Sequence, residues 1–146
     1  MTMTPAEVES VLQRVLRPEA VPLDPPTVED WRQLESRFGC RFGNEFKSFI
    51  ALMSKYQFPG DILNVSSGRT NGNDSIELAF EYESQESGWD ANMIPFYAIG
   101  NGDYFCLSKE ECPASRVFYY YADRKTFEPY SGTVEDWIQQ LPLFLA

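Results

Sequence analysis

The apolar positions change their period partway along the chain. Val8, Val11, Leu12, Val15 and Leu16 recur at three- and four-residue spacing, which predicts one helical stripe. Its start is written in Thr4-Pro5-Ala6-Glu7, a capping box with Thr4 as N-cap, Pro5 at the first helical position and Glu7 reaching back. Pro18 stops this helix, and the prolines from Pro18 to Pro26 predict an extended connector. A second helix is predicted from Thr27, with Asp30 at its N3 position, Trp31, Leu34 and Phe38 on one face, and Gly39 as C-cap. A third runs from Asn44 with Phe46, Phe49, Ile50 and Met53 as its core stripe, ended by Phe58-Pro59-Gly60.

Beyond Gly60 the period falls to two. Ile76, Leu78, Phe80 and Tyr82 alternate with Glu77, Ala79, Glu81 and Glu83, which predicts an antiparallel strand with one wet, acidic face. Residues 94–99 and 104–107 flank Gly100-Asn101-Gly102-Asp103, whose tolerance of positive φ predicts a hairpin. Residues 117–121 read as another strand, turned by Asp123-Arg124-Lys125 into 126–130. A last helix opens at Thr133, with Val134, Trp137, Ile138 and Leu141 inward, and Pro142 ends or kinks it. Thr-Val-Glu-Asp-Trp occurs at both 27–31 and 133–137, but the two stretches diverge after Trp. They share a way of starting a helix, a Thr cap with acids over the positive end, and not a duplication. Helices, then strands, then one helix predict an α+β fold: an antiparallel meander with helices packed on one face and a C-terminal closing helix. One domain over residues 1–146 is expected, with 1–26 as helix and Pro-rich connector and 27–146 as core.

Charge and composition narrow the chemistry. Twelve Lys and Arg against 22 Asp and Glu give a net charge of −10, so approach to a phosphate backbone or an anionic membrane works against the summed field. No nucleic acid or membrane is expected as partner. Histidine is absent, which removes the usual general base, the commonest metal ligand and the Ser-His and Cys-His pairs. Cys40, Cys106 and Cys112 are spaced unlike metal ligands and fit a reducing, cytoplasmic setting, with a Cys106–Cys112 bridge left open. No catalytic residue, cofactor or metal is expected.

Local motifs for catalysis fail one by one. Asn71-Gly72-Asn73-Asp74 resembles the start of a calcium loop, but Tyr82 stands where the closing bidentate Glu belongs. Gly100-Asn101-Gly102 opens no helix that would favour a phosphate. Paired carboxylates among Glu81, Glu83, Asp90 and Asp103 leave an acidic hydrolase as an alternative of a different class. The stronger signal is distributed. Between Asp74 and Glu111 lie nine acids and one base, Lys109, so this segment carries eight of the ten net charges. Tyr82, Trp89, Phe96, Tyr97 and Tyr104 are interleaved with them, residue types that supply rigid contact area at interfaces. The expected contacts with a basic protein partner are Glu77, Glu81, Glu83, Trp89, Asp90, Asp103 and Tyr104. Equally open, for any one of them, is a ring in the core or an acid that only solvates the surface.

Three stretches together resemble the SUKH superfamily in its cell-wall-assembly-regulator branch: residues 38–49, from Phe38-Gly39-Cys40 to Phe49; residues 94–107, with the Gly102-Asp103 step before a hydrophobic strand; and residues 117–123 followed by Trp137-Ile138 and Leu141. Gly43 stands where that family favours proline, and the Gly-rich turn is shorter than its usual form. The resemblance implies an α+β domain without catalytic machinery that binds protein partners. The function it leads us to expect is that of a bacterial immunity protein neutralising a cognate toxin, with a basic toxin domain as partner and a monomer or weak homodimer as its state. A regulatory or scaffold module with several partners is the alternative within the family.

Overall fold

The computed structural model describes residues 4–18, 24–52, 55–57, 60–65 and 75–145. Helix α1, Pro5–Leu12, begins with the expected capping box: the Thr4 hydroxyl accepts the Glu7 amide at 3.2 Å and the Glu7 carboxylate accepts the Thr4 amide at 3.0 Å. It ends well before Pro18, because Arg17–Pro18 forms a short strand, β1, antiparallel to β2, Tyr56–Gln57. The connector at 19–23, the expected calcium-like turn at 71–74, and Met53, Phe58 and Pro59 lie outside the described residues. Helix α2, Val28–Phe38, has Thr27 as its cap and Asp30 closing the box, and Gly39 ends it at φ +69°, a left-handed position that favours glycine. Helix α3, Asn44–Ala51, follows after a turn held by the Glu35 carboxylate, which accepts the Phe42 amide at 2.8 Å.

One predicted strand is a helix. Residues Ile76–Glu83 form α4, whose N-cap Ser75 accepts the Leu78 amide at 3.1 Å. Ile76, Ala79 and Phe80 are buried, at the i, i+3, i+4 spacing of one helical face. Phe80 meets Phe38 edge-on at 5.0 Å, whereas Leu78 and Tyr82, expected to point inward from a strand, are 50% and 67% exposed. The eight residues satisfy a period of two and a period of 3.6 alike, and Leu, Ala and three Glu carry helix propensity that the alternation hides.

The remaining strands follow the expected order. A five-stranded antiparallel meander runs β3 (Asp61–Ile62), β4 (Met93–Ala98), β5 (Tyr104–Ser108), β6 (Val117–Tyr121) and β7 (Thr126–Ser131). The edge strand β3 had no signal in the sequence, being two residues long. Helix α5, Val134–Leu145, buries Val134, Trp137, Ile138 and Leu141 as predicted. Pro142 does not end it. Proline forfeits one hydrogen bond to the preceding turn, but Leu141, 1% exposed, anchors the last turn against the core.

The sheet has two unlike faces. Helices α1, α3 and α5 pack on one another over the first, where Phe46, Phe49, Phe96, Phe105 and Trp137 are sealed from water. Trp137 lies edge-on to Phe49 at 4.8 Å and to Phe96 at 5.1 Å. Met93, Cys106, Phe118 and Tyr120 are buried on the second face, with Trp89, Tyr104, Ala122 and Phe127 packed at its margin. Strand alternation accounts for this division, since Val117 and Tyr119 belong to the first face and Phe118 and Tyr120 to the second.

Candidate functional site

On the second face of the sheet Trp89, from the turn after α4, packs at one part and the Arg116 guanidinium lies 4.9 Å over the Phe118 ring at another. Trp89 meets Tyr120, Phe127 and Tyr104 edge-on, with centroids 4.8, 4.9 and 5.8 Å away. Its indole N–H donates to the Met93 carbonyl at 3.3 Å, which fixes the ring over the start of β4. The Tyr104 hydroxyl donates to the Glu83 carboxylate at 2.8 Å, so the last residue of α4 is tied to the same aromatic plate. Burial pushes the Tyr120 phenol above its ordinary pKa, and the charges of Glu83, Cys106, Asp103 and Glu86 reinforce it. Acids thus lie around a group in which the buried Tyr120 ring is flanked by half-buried Trp89, Tyr104 and Phe127.

The other expected contact residues divide by role. Asp103 is a brace: one carboxylate oxygen accepts the Tyr119 hydroxyl and the other the Ala122 amide, each at 2.8 Å. The Tyr119 phenol is pushed far above its usual pKa, by burial first and then by the hydrogen bond and charge of Asp103. Asp90 accepts the Asn92 amide at 2.8 Å and shapes the turn into β4. Glu77 and Glu81 project from α4 and not from a strand, and both face Arg37 of α2, at 2.9 and 3.6 Å. All three side chains of that group are more than a third exposed, so the pairing adds little to stability. The structure therefore joins Glu83, Trp89 and Tyr104 in one contact group, places Glu77 and Glu81 together on the neighbouring helix, and gives Asp90 and Asp103 to the turns.

Sequence reasoning missed Tyr120 and Phe127 as parts of this patch, and it expected Leu78 and Tyr82, which are exposed on α4, to point inward from a strand. The alternation in Phe118-Tyr119-Tyr120-Tyr121 was the available signal for Tyr120. Phe127 carried none, because its place depends on the antiparallel register that sets it opposite Tyr120.

A separate open groove of about 660 Å³ lies between the start of α3, the start of α5 and the Pro113–Ser115 turn. Its charged side chains are of both signs, Arg41 and Lys47 among Glu35, Glu45 and Glu135, and Lys47 is paired with Glu35 at 3.3 Å. Among the described carboxyl groups, Glu7 is held low by the Thr4 amide and hydroxyl, and Glu111 by hydrogen bonding to Arg116. Neither lines the groove. Among the described residues no three His, Cys, Asp or Glu side chains are grouped to hold a metal ion, and no helix is long and apolar enough to cross a membrane.

Comparison with known proteins extends this geometry. A crystal structure of a protein from Pseudomonas syringae pv. tomato superposes with a TM-score of 0.60 at 19% sequence identity, covering 80% of this chain and 83% of that one. At that identity the likeness establishes the fold. No curated protein matches this sequence. The family SUKH_5, described as SMI1-KNR4 cell-wall, matches residues 7–144, which takes in α1 as well as the sheet and the closing helix. With nearly its whole length matched, the chain belongs to the SMI1-KNR4 family of SUKH proteins.

Proposed function

We propose that this protein is a bacterial immunity protein that acts by docking on a basic toxin domain, through the aromatic patch and the acids around it. Membership supports, at the level of the family, a non-catalytic immunity or regulatory domain that binds proteins. The observation that carries the docking surface is the 2.8 Å bond from Tyr104 to Glu83. It ties the acidic end of α4, where Glu83 follows the exposed Tyr82, to the ring group around Trp89. A basic partner meets there complementary charge, which speeds association, and rigid rings, which supply contact area.

The contact set is Glu77, Glu81, Glu83, Trp89 and Tyr104 from the sequence expectation, with Tyr82 and Glu86 added. Asp90 and Asp103 contribute field, because their oxygens are already engaged in turns. The carboxylates that a hydrolase would draw on, Glu81, Glu83, Asp90 and Asp103, are tied to Arg37, Tyr104, Asn92 and Tyr119 in turn, which supports binding over hydrolysis. Pro129 on the edge strand β7 removes one outward donor and discourages strand-to-strand pairing, in keeping with a monomer or weak homodimer. The cell-wall description of the family favours a second reading, a regulatory module that serves several partners in turn.

The experiment reads whether the adjacent coding region specifies a toxin domain and titrates the purified protein with that domain at low and high salt. Reversing Glu81 and Glu86 to Lys lowers the association rate at least about tenfold at low salt and flattens its salt dependence. Unchanged affinity and salt slope in that double variant overturn the docking surface.

A further inference from the structure

The tip of the β4–β5 hairpin sets an exposed amide beside the backbone nitrogen that can attack it. Asn101 is exposed and is followed by Gly102 at φ +95°. That second position is held as glycine twice over, by its left-handed φ and because a Cβ there would come within 3.0 Å of the Ala122 Cβ. Glycine offers the least hindrance to reaction at its own nitrogen. The loop is closed by the Ile99 amide, which donates to the Asp103 carbonyl at 3.1 Å. Inside it the Asn101 side chain turns back along the chain: Oδ1 accepts the Asp103 amide at 3.0 Å, and Nδ2 donates to Asp103 Oδ2 at a long 3.4 Å. Such a turn curls Cγ toward the Gly102 nitrogen, which lies within the ring that the hydrogen bond closes. The Asp103 N–H also polarises the Cγ carbonyl and is placed to stabilise negative charge that builds on Oδ1 under attack.

We propose that Asn101 is a self-modifying site, at which the folded hairpin promotes deamidation by the protein's own Gly102 amide and water. The Gly102 nitrogen gives its proton to solvent base and bonds to Asn101 Cγ. The Cγ–Nδ2 bond then breaks, and the side-chain nitrogen takes up a proton from water and leaves as ammonia. Water opens the resulting cyclic imide at either of its carbonyls, which leaves an aspartate or an isoaspartate at position 101. One water is consumed, one ammonia is released, and nothing is oxidised or reduced.

Either product acts on the Asp103 brace. An aspartate replaces the Nδ2 donor with a second anion beside Asp103 Oδ2, the oxygen that accepts the Tyr119 hydroxyl at 2.8 Å. An isoaspartate adds a methylene to the main chain inside the loop closed by Ile99, which draws Asp103 away from Tyr119 and from the Ala122 amide. The modification therefore adds negative charge at the rim of the far face and loosens the tie between the two faces of the sheet.

The test incubates the full-length protein at mildly alkaline pH, folded and in urea, and maps peptides by mass at Asn101 and at the other Asn-Gly step of the sequence, Asn71-Gly72. Hydroxylamine, which cleaves the chain at a cyclic imide, and an isoaspartyl methyltransferase report the intermediate and the isoaspartate. After correction for the effect of urea on a short Asn-Gly peptide, Asn101 converts severalfold faster in the folded protein than in the unfolded chain. Protein converted at Asn101, separated by anion exchange, melts below the fresh protein. Asn101→Gln, whose longer side chain closes the ring far more slowly, keeps its melting temperature through the same incubation. Conversion at Asn101 no faster folded than unfolded overturns the role of the hairpin. A converted fraction that melts with the fresh protein, or an equal fall in melting temperature in Asn101→Gln, overturns the effect on the brace.

Discussion

The two faces of the sheet are built from the same residue types and behave differently. On the helix side, Trp137 is fully enclosed by Phe49, Phe96, Phe105 and Tyr97, and three helices exclude water. On the far side, the half-buried indole of Trp89 and the Arg116 guanidinium lie over the rings, and the Tyr104 hydroxyl reaches a carboxylate at the rim. A sealed aromatic cluster stabilises the fold through area removed from water and close packing. An open one retains ring faces and charges for something else to touch. The contrast teaches where to look for function in a protein whose rings are everywhere: where they are still wet and still ringed by charge.

The largest effect separates the faces by truncation. Trp137→Ala costs about 3–5 kcal/mol, the range for emptying an enclosed aromatic site, while Trp89→Ala at the open margin costs about 1–3 kcal/mol. Urea unfolding of both variants measures the difference, and equal losses would erase the distinction drawn between the faces.

A smaller effect lies in the brace that joins them, since Asp103 sits at the rim of the far face and holds Tyr119, which belongs to the helix side. Asp103→Asn weakens two charge-assisted bonds and costs about 1–2 kcal/mol. It also lowers the Tyr119 pKa toward the ordinary tyrosine value, because the neighbouring anion is gone. In the natural protein the folded phenols of Tyr119 and Tyr97 are raised, Tyr97 to about 12 by burial. A raised acid keeps its full contribution below the unfolded value near 10 and loses it as pH climbs through the folded one. Stability is therefore flat with respect to these phenols through neutral pH and declines from about pH 10 upward, by less in the variant, where Tyr119 has a folded pKa nearer its unfolded one. Ultraviolet titration of tyrosinate, with unfolding followed in parallel, checks both statements.

The smallest effect on stability falls on the outer side of α4. Tyr82→Ser, at a position 67% exposed, changes unfolding free energy by no more than about 0.5 kcal/mol. It nevertheless weakens partner binding by about tenfold if the open face is the contact surface. A loss of stability comparable to that of Trp89→Ala would instead make Tyr82 part of the packing.

How legible these features were depends on the range of the interactions behind them. The caps at Thr4 and Thr27 and the left-handed Gly39 were readable because each is completed within a few residues. Residues 76–83 were misread because Ser75, which caps α4, says nothing until a helix is already assumed, and the alternation of Ile76, Leu78, Phe80 and Tyr82 offered a strand first. The acidic segment was visible as composition, but its members were not equal: Glu83 meets Tyr104 and Asp103 meets Tyr119 through bonds spanning 21 and 16 residues. No local pattern encodes such a partner.

By itself the sequence determined the α+β class, the order of most elements, the strongly acidic character and the residues that enter the helix-side core, because hydrophobic period and capping act over one or two turns of chain. Only the tertiary structure decided which acids are braces and which face outward, and that Trp89 packs on the far side of the sheet. Those outcomes depend on strand register and on the docking of loops far apart in sequence, and the free energy that selects them is gained only once the chain is packed.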